Sequence, residues 1–313
     1  MTLPNFFIVG APKAGTDELY YHLDQHPQIF MSPLKEPCFF SSEIRPEHFH
    51  PSLRGQAERM AADTRRYLDE GMPGKRFGGI VSSLDDYQLL FSRATDQKAV
   101  GEGSVCYLWS KSAPLAIAST LPRARIIIVL MDPAERAFHQ YLKSLSDGTV
   151  GHSFRVHLEA ALRHGSELGL YHPFLQFGNY FEQVRLYRDH FPAGQLHLSL
   201  YEDLSADRQA WFRSVLSFLG VDREFVPEHV EIPSQPHVPR LVGVSHALRT
   251  CGIGRAMKHL FPQRVRSLVK RALSRAGMPR LRPEDRAILV DYYRNDILEL
   301  QDLLGRDLQA WLK

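Results

Sequence analysis

Residues 6–23, FFIVGAPKAGTDELYYHL, place an apolar run, a glycine-bearing loop with one lysine, and a helix-like pattern in direct succession. A helix N-terminus presents unpaired N–H groups and a partial positive charge. Gly10 and Gly15 allow close backbone approach to a ligand, and Lys13 adds a mobile full charge. Together these make a cradle for a phosphate or sulfate group. The loop departs from the GxxxxGK[ST] phosphate loop. Gly10 and Gly15 have its separation, but Thr16 stands where the lysine belongs and the lysine lies upstream at Lys13. No acid in a clear strand context follows to hold Mg²⁺, which disfavours a metal-dependent nucleotide triphosphatase.

Other chemistry-bearing types are scattered. HLDQH puts His22 and His26 one helical turn apart. With no third ligand in view, a solvated helix end is expected there rather than a metal site. CxxC and HExxH are both absent. Cys38, Cys106 and Cys251 are odd in number and far apart in sequence, which suits a reducing cytoplasm in which each is a small buried hydrophobe.

The elements that must position the loop follow from apolar runs. Phe6–Val9, Lys98–Gly101, Arg125–Met131 and Leu196–Tyr201 read as buried strands, and RIIIVLM, apolar on both faces, reads as a strand of a covered parallel sheet. Helical patterns occupy Thr16–Gln25, Ala113–Thr120, Pro133–Leu145, Phe154–Arg163, Asn179–His190, Arg208–Leu219 and Pro283–Leu304, the last with acids in its first turn. Alternation of this kind predicts an α/β fold in one domain, residues 1–313: a P-loop-like central parallel sheet with helices on both faces. Residues 41–97, rich in glycine and polar types, read as an irregular insertion or lid.

The chain has 313 residues, net charge +3 and 44% hydrophobic residues, a soluble globular composition. No apolar run approaches the ~20 residues of a membrane span. The start, LPNFFIVG, lacks a basic leader pattern, so no signal peptide is expected and a cytoplasmic location is. Charge is uneven: residues 232–283 hold eleven Lys or Arg and no acid, leaving 27 basic and 35 acidic residues elsewhere. A one-sign block of this size faces an anion such as a nucleotide, an acidic substrate, nucleic acid or a membrane surface. Within it, Val265, Leu268, Val269, Ala272, Leu273 and Ala276 form an apolar stripe on a basic helix over 263–276. Such a helix suits peripheral contact with a membrane surface, or a core-docked position with its charges in water. Nucleic acid is disfavoured, because no known binding module and little aromatic interleaving are present.

PKAGT at 12–16 after a strand resembles the 5′-phosphosulfate loop of sulfotransferases that use 3′-phosphoadenosine 5′-phosphosulfate (PAPS). HPQIFMSPLKEPCFF at 26–40 is similar to a segment of the family's bacterial and heparan-sulfate-type branch. GEGSVCYL at 101–108, IIIVLMDPAERAFHQY at 126–141, residues 169–204 and the ending LLGRDLQAWL follow in the family's order. The resemblance implies metal-free, in-line sulfuryl transfer to a hydroxyl or amine of a carbohydrate, natural product or lipid. Positioning and charge stabilisation do most of the catalysis in such a transfer. It also implies that Lys13, Ala14, Gly15 and Thr16 hold the phosphosulfate, with Lys13 countering charge on the leaving group. Asp17, an acid close to a dianion, is expected to point away and favour the helix dipole. Glu36 matches the branch's general base, with Glu102 and His22, His139 or His172 as other candidates. The family's 3′-phosphate ligands are an arginine at the strand end and a serine eight residues later. Here those positions are Met131 and His139; His139 can still donate a hydrogen bond, and Arg136 remains to hold the nucleotide together with the basic block. An unreplaced charge-assisted bond costs roughly 1.5–3 kcal/mol. Three readings follow: the basic block, through Arg240 or a later arginine, substitutes; the donor is a different anion; or the fold binds nucleotides or anions without catalysis. The first is preferred.

Overall fold

Five parallel strands form the central sheet, in the order β2-β5-β1-β6-β7. They are β1 (Phe6–Gly10), β2 (Ile29–Met31), β5 (Ala99–Gly103), β6 (Arg125–Leu130) and β7 (Leu196–Leu200). The computed structural model describes residues 2–49, 51–164, 174–228 and 279–313. β1 and β5 are buried at every residue and β6 at all but its first; the unbroken apolar runs of β1 and β6 are what a sheet covered by helices on both faces requires. β1 lies at the centre, with Phe6 opposite Gly101 on one side and Arg125 on the other. The expected strands fall into place, and a further three-residue edge strand, β2, joins them.

Helix α1 (Thr16–Asp24) follows β1 and packs against β1, β2 and β5. Helix α4 (Cys106–Trp109) follows β5 and packs on β1. Helix α6 (Pro133–Ser146) follows β6, with Pro133 in its first turn and Asp132 accepting from the N–H groups of Ala134 and Glu135. Among the described residues, helices α5 (Ala113–Thr120), α7 (Phe154–His164), α8 (Tyr180–His190), α9 (Tyr201–Ala206) and α10 (Arg208–Leu219) are followed by the long α11 (Pro283–Leu304). Asp296 of α11 accepts from the first N–H groups of α8, and Arg286 donates to Asp132 at the start of α6 at 2.6 Å. α11 thereby fixes two helix N-termini.

The stretch 41–97 is not irregular throughout. It carries α2 (Pro51–Asp69), α3 (Leu84–Leu89) and β4 (Arg76–Phe77), which pairs in parallel with β3 (Leu34–Lys35). Ala57, Met60, Ala61, Thr64, Tyr67 and Leu68 recur at helical spacing along α2. Half of that face is small or polar (Ala57, Ala61, Thr64), which weakens its apolar signal and hid the helix. Among the described residues, no helix is long and apolar enough to cross a membrane. The basic helix of 263–276, and all of the basic block before Pro279, lie outside the described residues.

Candidate active site

The loop from β1 to α1 gathers the site. Gly15 precedes α1 with φ +83°, a left-handed conformation, and supplies no side chain to cap the helix. The positive φ calls for glycine, and a Cβ there would also press on Leu204 at 3.0 Å. Lys13 also adopts a positive φ, 74°, which costs a non-glycine residue roughly 1–2 kcal/mol. The loop holds itself together through Ala14 N–H, which donates to the Ala11 carbonyl at 3.2 Å. Ala14's N–H is therefore committed to the turn, whereas the start of α1 has no side-chain cap. Thr16, the first residue of α1, is buried and lines the cavity beside Lys13.

That cavity has a volume of about 390 Å³ and is lined by Lys13, Thr16 and Asp17 of the loop and α1, by Glu36, and by Lys143 of α6. Phe77, Gly78 and Val105 close its walls. Its position at the carboxyl ends of the strands is where open parallel sheets bind ligands. Burial pulls the Lys13 ammonium below its ordinary value; Asp17 and Glu36 oppose this, while Lys143 and Lys35 add to it. Glu36, a quarter exposed, accepts a hydrogen bond from Val105 N–H at 3.1 Å and lies 3.8 Å from Lys35. Burial pushes its carboxyl above the ordinary range, and Lys35 offsets part of that shift. A carboxylate with raised basicity beside a lysine-bearing anion cradle can take a proton from a nucleophile attacking the bound anion.

Asp17 does not turn away from the site. It lines the cavity and pairs with the fully buried Lys35 at 2.5 Å. The pair removes the repulsion that an unpaired Asp17 would exert on an anion. Lys35, missed in the sequence, holds both acids of the site and is framed by the Tyr20 and Phe77 rings. Lys143 was missed too, although it follows His139 by one helical turn on α6; it pairs with Asp147 at 2.7 Å.

Other candidates lie elsewhere. Glu102 is fully buried on β5 and accepts from Tyr87, Tyr107 and Ser104 hydroxyls at 2.9, 2.8 and 2.7 Å. It is absent from the cavity wall, though burial pushes its pKa up to about 7. Arg136, fully buried, donates to the Phe174 carbonyl and to Gln140, tying α6 to the following segment rather than opening on the cavity. His139 is half-buried; burial, then Lys13 and Arg136, hold its imidazole below the ordinary value, so it is neutral near pH 7. Met131 is buried at the end of β6. His22 faces Glu18 and Phe212, away from the cavity. His26 is not at a solvated helix end: it is buried, makes a ring-nitrogen hydrogen bond with the Asp222 carbonyl at 2.9 Å, and accepts from Gln28 N–H. His172, Arg240 and Cys251 lie outside the described residues.

A sulfotransferase family model matches residues 4–225, most of the chain, and the chain belongs to that family. It is 27% identical to the human bifunctional heparan sulfate N-deacetylase/N-sulfotransferase 3 over 99% of its own length and 31% of that protein's. The chain thus spans about a third of the length of these curated relatives. It is 23% identical to the membrane-associated sulfotransferase kil1 of Dictyostelium discoideum, over 74% of this chain and 59% of that protein. Among solved structures, a sulfotransferase from Alicyclobacillus acidocaldarius superposes with a TM-score of 0.70 at 28% identity, covering all of both chains.

Proposed function

We propose that this chain moves a sulfuryl group from PAPS to a hydroxyl or amine of an acceptor, without a metal. The observation that carries this reading is the sharing of one cavity by Lys13, the uncapped start of α1 and the Glu36 carboxylate. Thr16 and the α1 N-terminus hold the 5′-phosphosulfate, and Lys13 counters the negative charge that grows on the bridging oxygen as the nucleotide leaves. Glu36 accepts the acceptor's proton as the new bond to sulfur forms. Lys143 adds a second positive charge on the α6 side of the cavity. Arg136 acts as a positioning residue for α6, because both terminal nitrogens of its guanidinium bond protein groups. At the 3′ end, His139 and the basic segment 232–283, through Arg240 or a later arginine, take the place of the family's arginine and serine. Phe77 and Gly78, from the 41–97 insertion, shape the acceptor side. The names of the N-sulfotransferase relatives favour an amine-bearing glycan as the first acceptor to try.

The test is calorimetric titration with 3′,5′-adenosine bisphosphate, the spent donor, beside 5′-AMP. Binding of the bisphosphate at least tenfold tighter supports a donor with a 3′-phosphate. Equal or absent binding removes PAPS from the reading and returns it to a different anionic donor or a non-catalytic anion-binding protein.

A further inference from the structure

Cys38 and Cys106 are 68 positions apart in sequence, yet their sulfurs lie 3.2 Å from each other, both thiols free and buried. They sit directly behind Glu36. Cys38 is two residues after it, and Cys106 opens α4 one residue after Val105, whose N–H binds the Glu36 carboxylate. The carboxylate oxygen and the two sulfurs lie within 4.8 Å of one another, a spacing that also suits a thiophilic cation. Lys35, 3.8 Å from Glu36, and Lys13 nearby oppose a divalent cation there, whereas a disulfide brings no charge into the site.

We propose that Cys38 and Cys106 form a reversible disulfide that pins the Glu36 segment to the start of α4 and so governs the candidate site. Hydrogen peroxide is the oxidant. Cys38 sulfur, which accepts the Cys106 S–H, attacks the peroxide oxygen, giving a sulfenic acid and one water. Cys106 sulfur then displaces the sulfenic oxygen, forming the S–S bond and a second water. The two sulfurs together lose two electrons, which reduce the O–O bond. Burial, with Cys38 alongside, pushes the Cys106 thiol well above its ordinary value, so the second step speeds up as pH rises. Closure to a bond of about 2.05 Å draws the two segments together by roughly 1 Å. A displacement of that size at a reacting group is enough to cost a factor of about 10² in rate.

The experiment treats the whole protein with stoichiometric hydrogen peroxide, alkylates the remaining thiols, and maps peptides by mass. The expected result is a 2 Da loss in a Cys38–Cys106 linked peptide, reversed by dithiothreitol and absent from Cys106→Ser and Cys38→Ser. Hydrogen exchange at the Val105 amide should slow by about tenfold on oxidation. Sulfinic acid at either position without linkage overturns the proposal, as does Zn²⁺ shielding the pair from alkylation. The consequence for turnover rests on the sulfotransferase reading: oxidised wild type should lose about tenfold or more in kcat. Unchanged kcat in linked protein overturns that control. If no sulfuryl transfer is found at all, linkage and exchange still decide whether the disulfide forms.

Discussion

Glu36 and Glu102 lie on neighbouring segments and differ in what surrounds them. Glu36 opens on a cavity, with Lys35 and Lys13 close by and one backbone N–H as a donor. Glu102 is sealed beneath, with three hydroxyls donating to it and no cation among its described hydrogen-bond and ion-pair partners. Both carboxyls are raised by burial, so the shift alone does not separate a chemical group from an architectural one. Access and neighbours separate them. Hydroxyl donors hold a charge in place, whereas lysines beside an open cavity hold an anion where a proton can be moved.

Substitutions can break this contrast. The largest effect is expected at Lys13: Lys13→Ala should lower turnover by on the order of 10³-fold with the fold intact by circular dichroism, because a donor aimed at developing charge is lost. Unchanged turnover would remove the loop assignment. Glu36→Gln should cost about 10²-fold in kcat while calorimetry finds affinity for 3′,5′-adenosine bisphosphate nearly kept. Near-normal kcat would rule Glu36 out as the base. In wild type, kcat/KM should rise with pH through a midpoint above 4.5 as Glu36 ionises, and fall through one below 10.5 as Lys13 loses its proton. Glu36→Gln should abolish the acid limb alone.

Glu102 is expected to act on stability instead. Its folded pKa, about 7, exceeds the ordinary 4.5, so the folded state binds more protons between those values. Its contribution is whole below pH 4.5 and is lost as pH rises to about 7, amounting to roughly 3 kcal/mol. Denaturant unfolding of Glu102→Gln against wild type should show a difference that grows over this range and is flat above it. A constant difference would mean Glu102 keeps one protonation state throughout. The smallest effect is expected at Lys143, where partial exposure and Asp147 screen the charge: Lys143→Ala should raise the donor KM by only about threefold to tenfold.

Much of this was legible beforehand because it rests on local pattern. RIIIVLM and FFIVG are apolar on both faces, and the helices that follow carry large apolar residues at regular spacing, so the sheet and its crossovers could be read directly. Lys13, Thr16 and Glu36 came together as expected. The rest depends on non-local packing. α2 hides behind small residues such as Ala57 and Ala61, and β2 is too short to announce itself. Nothing in the sequence sets Lys35 apart from other lysines; in the fold it sits on β3, which pairs with β4, and is buried against Asp17. Arg136 looked like an anion ligand because its sequence position says nothing of the Phe174 carbonyl that occupies it. Nor does a spacing of 68 residues suggest that two thiols touch.

The parallel sheet described above also makes this molecule its own ruler. The five strands of the central sheet run parallel with their carboxyl ends toward the cavity, so the turn before β6, with Arg123 exposed on it, marks the opposite rim. Five-residue strands separate the rims by roughly 17 Å. A fluorophore attached at position 123 would sit at nearly fixed range from anything seated near Lys13. Energy transfer to a labelled ligand could then report occupancy with no dye attached to the protein near the reacting groups.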